Sequence, residues 1–213
     1  MKLRKSVPGW DLPKHHEADL IKRFRKEGEI FLDVGAHVGA WTLNLAPYFR
    51  RVFAFEPHPT ARETLMGNLE DNRINNVSVI PYALTSYVGK VKLTVYDPPA
   101  RTTIFDVHPL TPIGRMRQIE VECNTIDFFV STRLDENDVV SFIKIDAEGA
   151  EAEILKGASA TFKRFQPCFC IETHSKELAE LTAKELLGIG IDHALVSRLK
   201  DTERVAYFVK APP

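Results

Sequence analysis

The stretch that decides the fold is FLDVGAHVGAWT, residues 31–42. An apolar run ends there in Asp33, glycines follow at positions 35 and 39, and an amphipathic segment begins. This order predicts a buried strand, a tight turn and the start of a helix. Glycine suits such a turn because it tolerates φ > 0 and lets a ligand approach the backbone, and the helix N-terminus adds N–H groups and a positive dipole end. The stretch therefore predicts a site for a nucleotide-type cofactor.

A second apolar segment, residues 51–57, also ends in an acid, Glu56, which lies 23 residues after Asp33. In dinucleotide-binding and related folds, an acid about 20 residues beyond the glycine turn accepts hydrogen bonds from ribose hydroxyls. We interpret Glu56 in this way; the simpler alternative is a solvated acid after a strand. A helix at 60–72 and a third strand at 77–84 complete a β-α-β-α-β pattern, which predicts a parallel sheet with right-handed crossovers.

The remaining chain predicts an insertion, two more sheet strands and a terminal strand pair. Alternating residues favour a hairpin of 91–96 with 118–123, joined by a long loop at 97–117. The other expected elements are strands at 139–146 and 166–174, helices from Thr125 and at 177–187, and an antiparallel pair at 191–196 and 204–209.

The length, composition and net charge of the chain limit the number of domains and the classes of binding partner. The 213 residues, 44% of them hydrophobic, suffice for one sizeable core, so we expect an N-terminal arm at 1–14 and a single domain at 15–213, with an insertion at about 91–123. The net charge of −1 gives no general attraction to nucleic acid or to anionic membranes, and no apolar run reaches the length of a membrane span. Three cysteines lack zinc-type spacing and are expected to be core thiols in a reducing cytoplasmic location. The basic residues 1–6 are followed by no apolar signal core.

Polar side chains end four of the expected strands. They are Asp33 on the first strand, Glu56 on the second, Asp146 with Glu148 on the fourth, and Glu172 with His174 on the fifth. Ligands of open parallel sheets bind beyond the carboxyl ends of the strands, so these side chains are expected to surround one site.

These motifs together resemble the FkbM-type methyltransferases, a branch of the S-adenosylmethionine-dependent enzymes. Residues 33–39 are similar to the family's cofactor turn, with His37 in place of its middle glycine. The other matching segments are residues 54–57 (AFEP), the helix-end residues Asn68 and Asn72, residues 144–151 (KIDAEGAE) and residues 172–174 (ETH). The resemblance implies an α/β, Rossmann-like class I methyltransferase fold. In that fold a mostly parallel seven-stranded sheet has an antiparallel C-terminal strand and helices on both faces, here with the β-hairpin insertion.

The resemblance also implies a reaction, the transfer of a methyl group from S-adenosylmethionine to a hydroxyl on a sugar or small metabolite. The cofactor-binding residues that it implies are Asp33, Gly35, Ala36, His37, Gly39, Trp41, Thr42, Glu56, Pro57, Ala83, Leu84 and Asp146. The catalytic candidates are Asp146 and His174, as alternative general bases, together with Lys144 and Glu148. Lys144 shares a strand face with Asp146, where it would either lower the pKa of that acid or extend from the core to solvent.

A metal site is an alternative use of the same residues. Asp146, Glu148, Glu172 and His174 form an oxygen-rich set with one imidazole, which suits Mg²⁺ or Mn²⁺, although no metal is expected. For Glu148 and Glu151 a second interpretation is stabilisation of a helix N-terminus.

Three other functions fit parts of the sequence. A nicotinamide-dependent Rossmann oxidoreductase would need glycines where His37 and Ala40 stand, and a non-catalytic binding protein would have no use for Asp146 and His174. An RNA methyltransferase on the same fold would need local basic patches, against a net charge of −1. The expected partner is therefore a small-molecule acceptor rather than nucleic acid or a membrane, and a homo-oligomer is one way to complete its pocket.

Overall fold

A central sheet and a smaller second sheet organise the part of the chain that the structure describes. This computed structural model describes residues 22, 24, 25, 27–97, 102–103, 115–191, 194–198 and 206–210. The strands are β1 (Gly28–Val34), β2 (Phe49–Phe55), β3 (Val77–Ile80), β4 (Ala83–Leu84), β5 (Gly89–Asp97), β6 (Thr102–Thr103), β7 (Arg115–Asn124), β8 (Val140–Ile145), β9 (Cys168–Thr173), β10 (Ala194–Arg198) and β11 (Ala206–Lys210). The helices are α1 (Ala40–Leu45), α2 (Pro59–Asp71), α3 (Ile126–Arg133), α4 (Glu151–Lys156), α5 (Ser159–Phe165) and α6 (Lys176–Gly188), with a short 3-10 helix at Ala46–Tyr48.

The central sheet has seven strands among the described residues, in the order β10-β11-β9-β8-β1-β2-β3. Its strands from β9 to β3 pair in parallel, whereas β11 is antiparallel to both β9 and β10. The expected fold is thereby confirmed: an α/β, Rossmann-like class I methyltransferase fold with a mostly parallel sheet and an antiparallel C-terminal strand.

The first strand, β1, is buried on both faces because its apolar residues alternate between two cores. Ile30 and Leu32 pack with β8 and with helices α3 to α6 on one face. Phe31 points to the other face, where it joins Trp41 of α1 and lies with its ring centroid 4.9 Å from that of Phe142. A strand with helices on both sides is a fixed base for the turn that follows it.

The expected third strand, 77–84, is in fact two strands. Pro81 has no N–H to donate to a ladder, and β3 ends just before it. After this break β3 stays in the central sheet beside β2, whereas β4 pairs with β7 in a second sheet of order β4-β7-β5-β6. Among the described residues, this second sheet has four strands and contains the predicted antiparallel pair, β5 with β7, so it is larger than the expected hairpin alone.

Several smaller predictions can also be compared with the structure. Thr125 caps α3, since its hydroxyl accepts a hydrogen bond from the backbone N–H of Phe128 at 3.0 Å. The cysteines carry thiols rather than disulfides. The arm at 1–14 and most of the loop at 97–117 lie outside the described residues. In the described ranges, no helix combines the length and the apolar character needed to cross a membrane.

Candidate active site

The turn after β1 brings the carboxyl ends of three strands together. The backbone N–H groups of Gly35 and Ala36 donate to the carbonyl of Phe55 at the end of β2, at 3.1 and 3.0 Å. On the other side, the N–H of Asp146 donates to the carbonyl of Val34 at 3.1 Å. Gly35 has φ +72°, and a Cβ there would lie 1.9 Å from the backbone oxygen of Asp146. Only glycine allows this contact, which holds Asp146 against the turn.

His37, which replaces the family's middle glycine, also has a left-handed backbone, with φ 54°. Histidine is among the non-glycine residues found more often in this region, so the replacement keeps the shape of the turn. The turn is supported from α2, where the side-chain amide of Asn68 donates to the carbonyl of Val38 at 2.8 Å. Gly39, with φ 96°, then leads into α1. As a result, the backbone N–H of His37 points at the side chain of the residue that directly follows β2.

That side chain is Glu56, which is 4% exposed. Its Oε2 accepts the N–H of His37 at 2.7 Å, and its Oε1 accepts the N–H of His58 at 2.8 Å. Burial raises the pKa of Glu56 to about 7, although both backbone N–H groups and the positive charge of Lys144 act in the opposite direction. The carboxylate is thus held rigidly, and each of its oxygens retains a second lone pair for a ligand.

An open cleft of roughly 680 Å³, including its solvent-filled mouth, lies beside Glu56. Within it, Glu56, Asp146 and Glu148 are the acidic residues. The predicted cofactor residues that line it are Gly35, His37, Glu56, Pro57, Ala83, Leu84 and Asp146. An apolar end is formed by Tyr82, Leu93 and Ile154 with the strand pair β4–β7 behind them. The cleft combines a polar wall with an apolar slot, as small-molecule sites do.

Five predicted cofactor residues do not line the cleft. They are Asp33, Ala36, Gly39, Trp41 and Thr42. Trp41 and Thr42 are buried in α1, where Trp41 belongs to the core under the sheet. These residues shape the turn from behind, because the turn itself separates them from the cleft.

Asp33 and Lys144 form a buried charge network beneath the turn. Asp33 is 0% exposed, and its carboxylate accepts a hydrogen bond from the hydroxyl of Thr42. The ammonium of Lys144 lies 3.6 Å from Asp33 Oδ1 and 3.6 Å from Asp146 Oδ2. It also donates to the carbonyl of Gly35 at 2.7 Å. Lys144 is 4% exposed and therefore does not extend to solvent, as one interpretation of the sequence had it.

The pKa of Asp33 is raised above its ordinary value. Desolvation by burial is the largest cause, and the charge of Lys144 and the hydrogen bond from Thr42 oppose it. Lys144 thus ties the ends of β1 and β8 together and holds one oxygen of Asp146, and it does not itself line the cleft.

The segment after β8 is a tight turn rather than the immediate start of a helix. Glu148 has φ 50° and Gly149 has φ 113°, so α4 begins only at Glu151. Glu151 is 0% exposed, and its Oε1 accepts the N–H groups of Ala147 and Gly149 at 3.1 and 3.0 Å. Glu151 therefore fixes the loop that presents Asp146 and Glu148 to the cleft.

His174 follows β9 and meets three carboxylates. Its Nε2 lies 3.7 Å from Asp146 Oδ1, 3.7 Å from Glu148 Oε2 and 3.6 Å from Glu172 Oε1. Burial lowers the pKa of His174, but the charges of Asp146, Glu148 and Glu172 outweigh it, so the pKa is raised overall. The structure thus brings the four predicted strand-end residues together, with Asp146 and Glu148 on the cleft wall and His174 and Glu172 behind them.

Two residues have structural roles at the site that the sequence does not fully specify. Glu151 lies in the first turn of α4, as its interpretation as an acid at a helix N-terminus expects, but no signal in the sequence marks it as buried. His58 is the N-cap of α2: its Nδ1 accepts the N–H of Thr60 at 3.2 Å. The signal for a helix start was Pro59, which suits the first helical position, but histidine is not a usual cap.

Comparison with known proteins now identifies the family. The model of the Methyltransferase FkbM domain matches residues 33–189, more than half of the chain. The chain belongs to the FkbM methyltransferase family. This confirms the resemblance, and it favours a methyltransferase over the oxidoreductase alternative. The match also spans every element that contributes to the cleft.

Two curated relatives are methyltransferases. Hexuronic acid methyltransferase AglP of Haloferax volcanii is 29% identical over 147 residues, which cover 66% of this chain and 56% of that protein. Methyltransferase 1 of Beauveria bassiana is 24% identical over 147 residues, which cover 62% of this chain and 59% of that protein. The chain therefore spans less than two thirds of the length of each relative.

A solved structure supports the fold independently. The crystal structure of Methyltransferase FkbM from Methylobacillus flagellatus has a TM-score of 0.62 and 20% identity with this chain. The similarity covers 88% of this chain and 44% of that one.

Proposed function

We propose that the chain uses S-adenosylmethionine as its methyl donor and methylates a hydroxyl oxygen on a sugar or small metabolite. The observation that carries this proposal is the buried carboxylate of Glu56, oriented by the N–H groups of His37 and His58. Within a methyltransferase family, a rigid carboxylate beside the glycine turn suits the two ribose hydroxyls of the donor. No reorganisation of that carboxylate is needed on binding, which favours affinity.

The residues that line the cleft beside Glu56 support the proposal for the rest of the donor. Tyr82, Ala83 and Leu84 supply an apolar slot for adenine. Gly35 and His37 border the opposite side, where the methionine portion would lie, and Asp146 follows on the next strand. The negative charge of Asp146 would favour the positive sulfonium of the donor.

The reaction is an in-line displacement at the methyl carbon. The acceptor oxygen forms a bond to that carbon, the carbon–sulfur bond breaks, and its electron pair stays on the sulfur. The hydroxyl proton has to leave the acceptor, and Asp146 and Glu148 on the cleft wall, with His174 behind them, are the groups that can assist its removal. Correct orientation of the two reactants supplies much of the rate, because it replaces a bimolecular encounter.

A hydroxylated acceptor is favoured by two observations. The cleft wall offers two carboxylates, with the imidazole of His174 behind them, and these groups suit proton removal from a hydroxyl. The curated relative AglP is a hexuronic acid methyltransferase, so sugars and sugar acids, which carry hydroxyls, are the first class to test. The net charge of −1 gives RNA no general electrostatic attraction.

A methyl-transfer screen tests the proposal. The full chain is incubated with S-adenosylmethionine and sugars, sugar acids, hydroxylated metabolites or RNA, and released S-adenosylhomocysteine is measured. We expect release with a hydroxylated small molecule, a loss of at least tenfold in Asp146→Asn, and no change in Glu180→Gln, an exposed acid of α6. If S-adenosylhomocysteine is released with RNA and with no small molecule, the acceptor is RNA and the proposed acceptor class is wrong. If the donor does not bind at all, the proposal is overturned.

A further inference from the structure

Three side chains, two on the cleft wall and one behind it, offer ligand atoms that converge. One atom each of Asp146, Glu148 and His174 lies within 4.8 Å of the others. The Nε2 atom of His174 is central, at 3.7 Å from Asp146 Oδ1 and from Glu148 Oε2. The three residues come from two different strand ends, β8 and β9, so this is a constellation built by the fold and not a run of neighbouring acids.

The distances between these ligand atoms are too long for hydrogen bonds, but they lie within the range found between ligands of one cation. A hydrogen bond between nitrogen and oxygen spans about 2.7–3.2 Å, which is shorter than these contacts. Two ligand atoms that are each about 2.1 Å from an octahedral cation lie roughly 3.0 Å apart in adjacent positions and roughly 4.2 Å apart in opposite positions. The observed 3.7 Å separations fall between these two values, so a small rotation of the side chains brings the atoms to the positions of ligands around one cation.

Unsatisfied buried atoms point in the same direction. Asp146 Oδ1 has no hydrogen-bond partner in the described structure, whereas its Oδ2 faces Lys144. Glu151 is 0% exposed, and its Oε2 also has no hydrogen-bond partner there. Burial raises the pKa of Glu151, and its carboxyl group interacts electrostatically with both Asp146 and His174. Buried polar atoms without partners are rare and require an explanation, for which a bound cation is a physical candidate.

We propose that Asp146, Glu148 and His174 bind a divalent cation of the Mg²⁺ or Mn²⁺ type. The two carboxylates are hard oxygen ligands that suit both ions, whereas the imidazole is a softer nitrogen ligand that Mn²⁺ accepts more readily than Mg²⁺ does. Glu172, with Oε1 at 3.6 Å from His174 Nε2, lies next to the site and adds negative charge. Asp146 and Glu148 line the cleft, so the open coordination positions face the space available to an acceptor.

The catalytic role of the ion rests on the proposed function. A hydroxyl of the acceptor bound to the cation has a lowered pKa. Its proton passes to solvent at the mouth of the cleft, and the resulting oxygen anion attacks the methyl carbon. The carbon–sulfur bond breaks, and sulfur keeps the electron pair. The cation thus activates the acceptor hydroxyl for attack. Asp146 and His174, as ligands of the cation, then have no role as general bases.

Electron paramagnetic resonance of Mn²⁺ tests the site without requiring turnover. The full chain is freed of metal with EDTA, which is then removed, and Mn²⁺ is titrated in. We expect one bound Mn²⁺ per chain, displaced by excess Mg²⁺, and binding at least tenfold weaker in Glu148→Gln and Asp146→Asn. The matched control Glu180→Gln, whose acid pairs with Lys176 on the surface, should bind as wild type does.

The outcomes separate the metal site from the methyl donor. The absence of stoichiometric binding of either cation, or Glu148→Gln binding like wild type, would overturn the metal site. Binding of S-adenosylhomocysteine together with full methyl transfer in excess EDTA would overturn the catalytic role of the cation, while leaving the proposed function intact. Stoichiometric Mn²⁺ binding without any binding of S-adenosylhomocysteine would support the metal site and overturn the proposed function.

Discussion

Replacing Lys144 by methionine is a direct test of the charge network beneath the glycine turn. The variant keeps most of the side-chain volume but removes the ammonium that lies 3.6 Å from both Asp33 and Asp146. It also removes the donor to the carbonyl of Gly35. Asp33, which is 0% exposed, is then a buried acid without a cation in contact with it.

The expected loss is large because one partner of a buried ion pair is removed. Such changes cost about 3–5 kcal/mol. For a chain of 213 residues, this corresponds to a fall in Tm of about 10 °C. Lys156→Met is the matched control, since Lys156 is 47% exposed and pairs with Glu153 on the surface. That control should lose at most about 1 kcal/mol.

The loss should also depend on pH. Burial raises the pKa of Asp33, and Lys144 opposes this, so removal of Lys144 raises the pKa of Asp33 further. The folded state then binds more protons than the unfolded state, and its stability increases as the pH falls. The cost of Lys144→Met should therefore be smaller at pH 5 than at pH 8. The second substitution Asp33→Asn, which removes the buried charge, should recover part of the stability at pH 8.

Urea unfolding followed by circular dichroism measures these free energies. If Lys144→Met lowers the free energy of unfolding by less than about 1 kcal/mol at pH 8, the buried charge network is refuted, because the loss of an exposed ion pair has an effect of that size. A cost that is equal at pH 5 and pH 8, and unchanged by Asp33→Asn, would show that lost packing rather than the unpaired acid is responsible.

Three further predictions concern the turn and the cleft. Gly35→Ala should destabilise the protein by about 2 kcal/mol or more and abolish donor binding, because its Cβ would lie 1.9 Å from the oxygen of Asp146; Gly188→Ala, with no atom within 4 Å of its Cβ, should be nearly neutral in thermal unfolding. The pKa of Glu56 is about 7, and ribose hydroxyls donate to the ionised form, so the affinity for S-adenosylhomocysteine should rise from pH 5.5 to pH 8 by calorimetry and be flat in Glu56→Gln. Glu151→Ala should cost about 1–3 kcal/mol in urea unfolding, because two backbone N–H groups lose their acceptor, and should lower methyl transfer more than donor binding.

Each of these has a clear contrary result. Gly35→Ala with wild-type donor affinity would mean that the close contact at the turn is not required. A rise of affinity with pH that persists in Glu56→Gln would assign the titration to another group. A Glu151→Ala variant with wild-type stability would show that the turn after β8 keeps its conformation without the hydrogen bonds to Glu151.

The succession of strands and helices could be predicted because local patterns report it directly. In residues 31–42, an apolar run that ends in Asp33 and two glycines indicate strand, turn and helix without reference to the rest of the chain. The strand-end acids could be grouped because parallel strands share one carboxyl edge, and β1 indeed pairs with both β2 and β8. The break at Pro81 was missed because the apolar run continues across it, although a proline cannot serve in a central ladder.

The depth of individual side chains could not be predicted from the sequence. Asp33, Thr42 and Glu151 are polar residues that are fully buried, and only the three-dimensional arrangement supplies the partners that make their burial tolerable. Lys144 left two interpretations open, because whether a strand lysine reaches solvent depends on what covers that face of the sheet. In the structure, the turn after β1 covers it, and the carbonyl of Gly35 accepts its hydrogen bond.

Calorimetric titration with S-adenosylhomocysteine tests the central claim, that the cleft beside Glu56 binds the methyl donor. We predict one site per chain, and affinity at least tenfold weaker in Glu56→Ala, a loss of about 1.4 kcal/mol. Glu63→Ala, an exposed acid on α2, should bind as wild type does once circular dichroism has shown all three proteins to be folded. Failure of the wild-type protein to bind S-adenosylhomocysteine, with NADH binding in its place, would contradict the account.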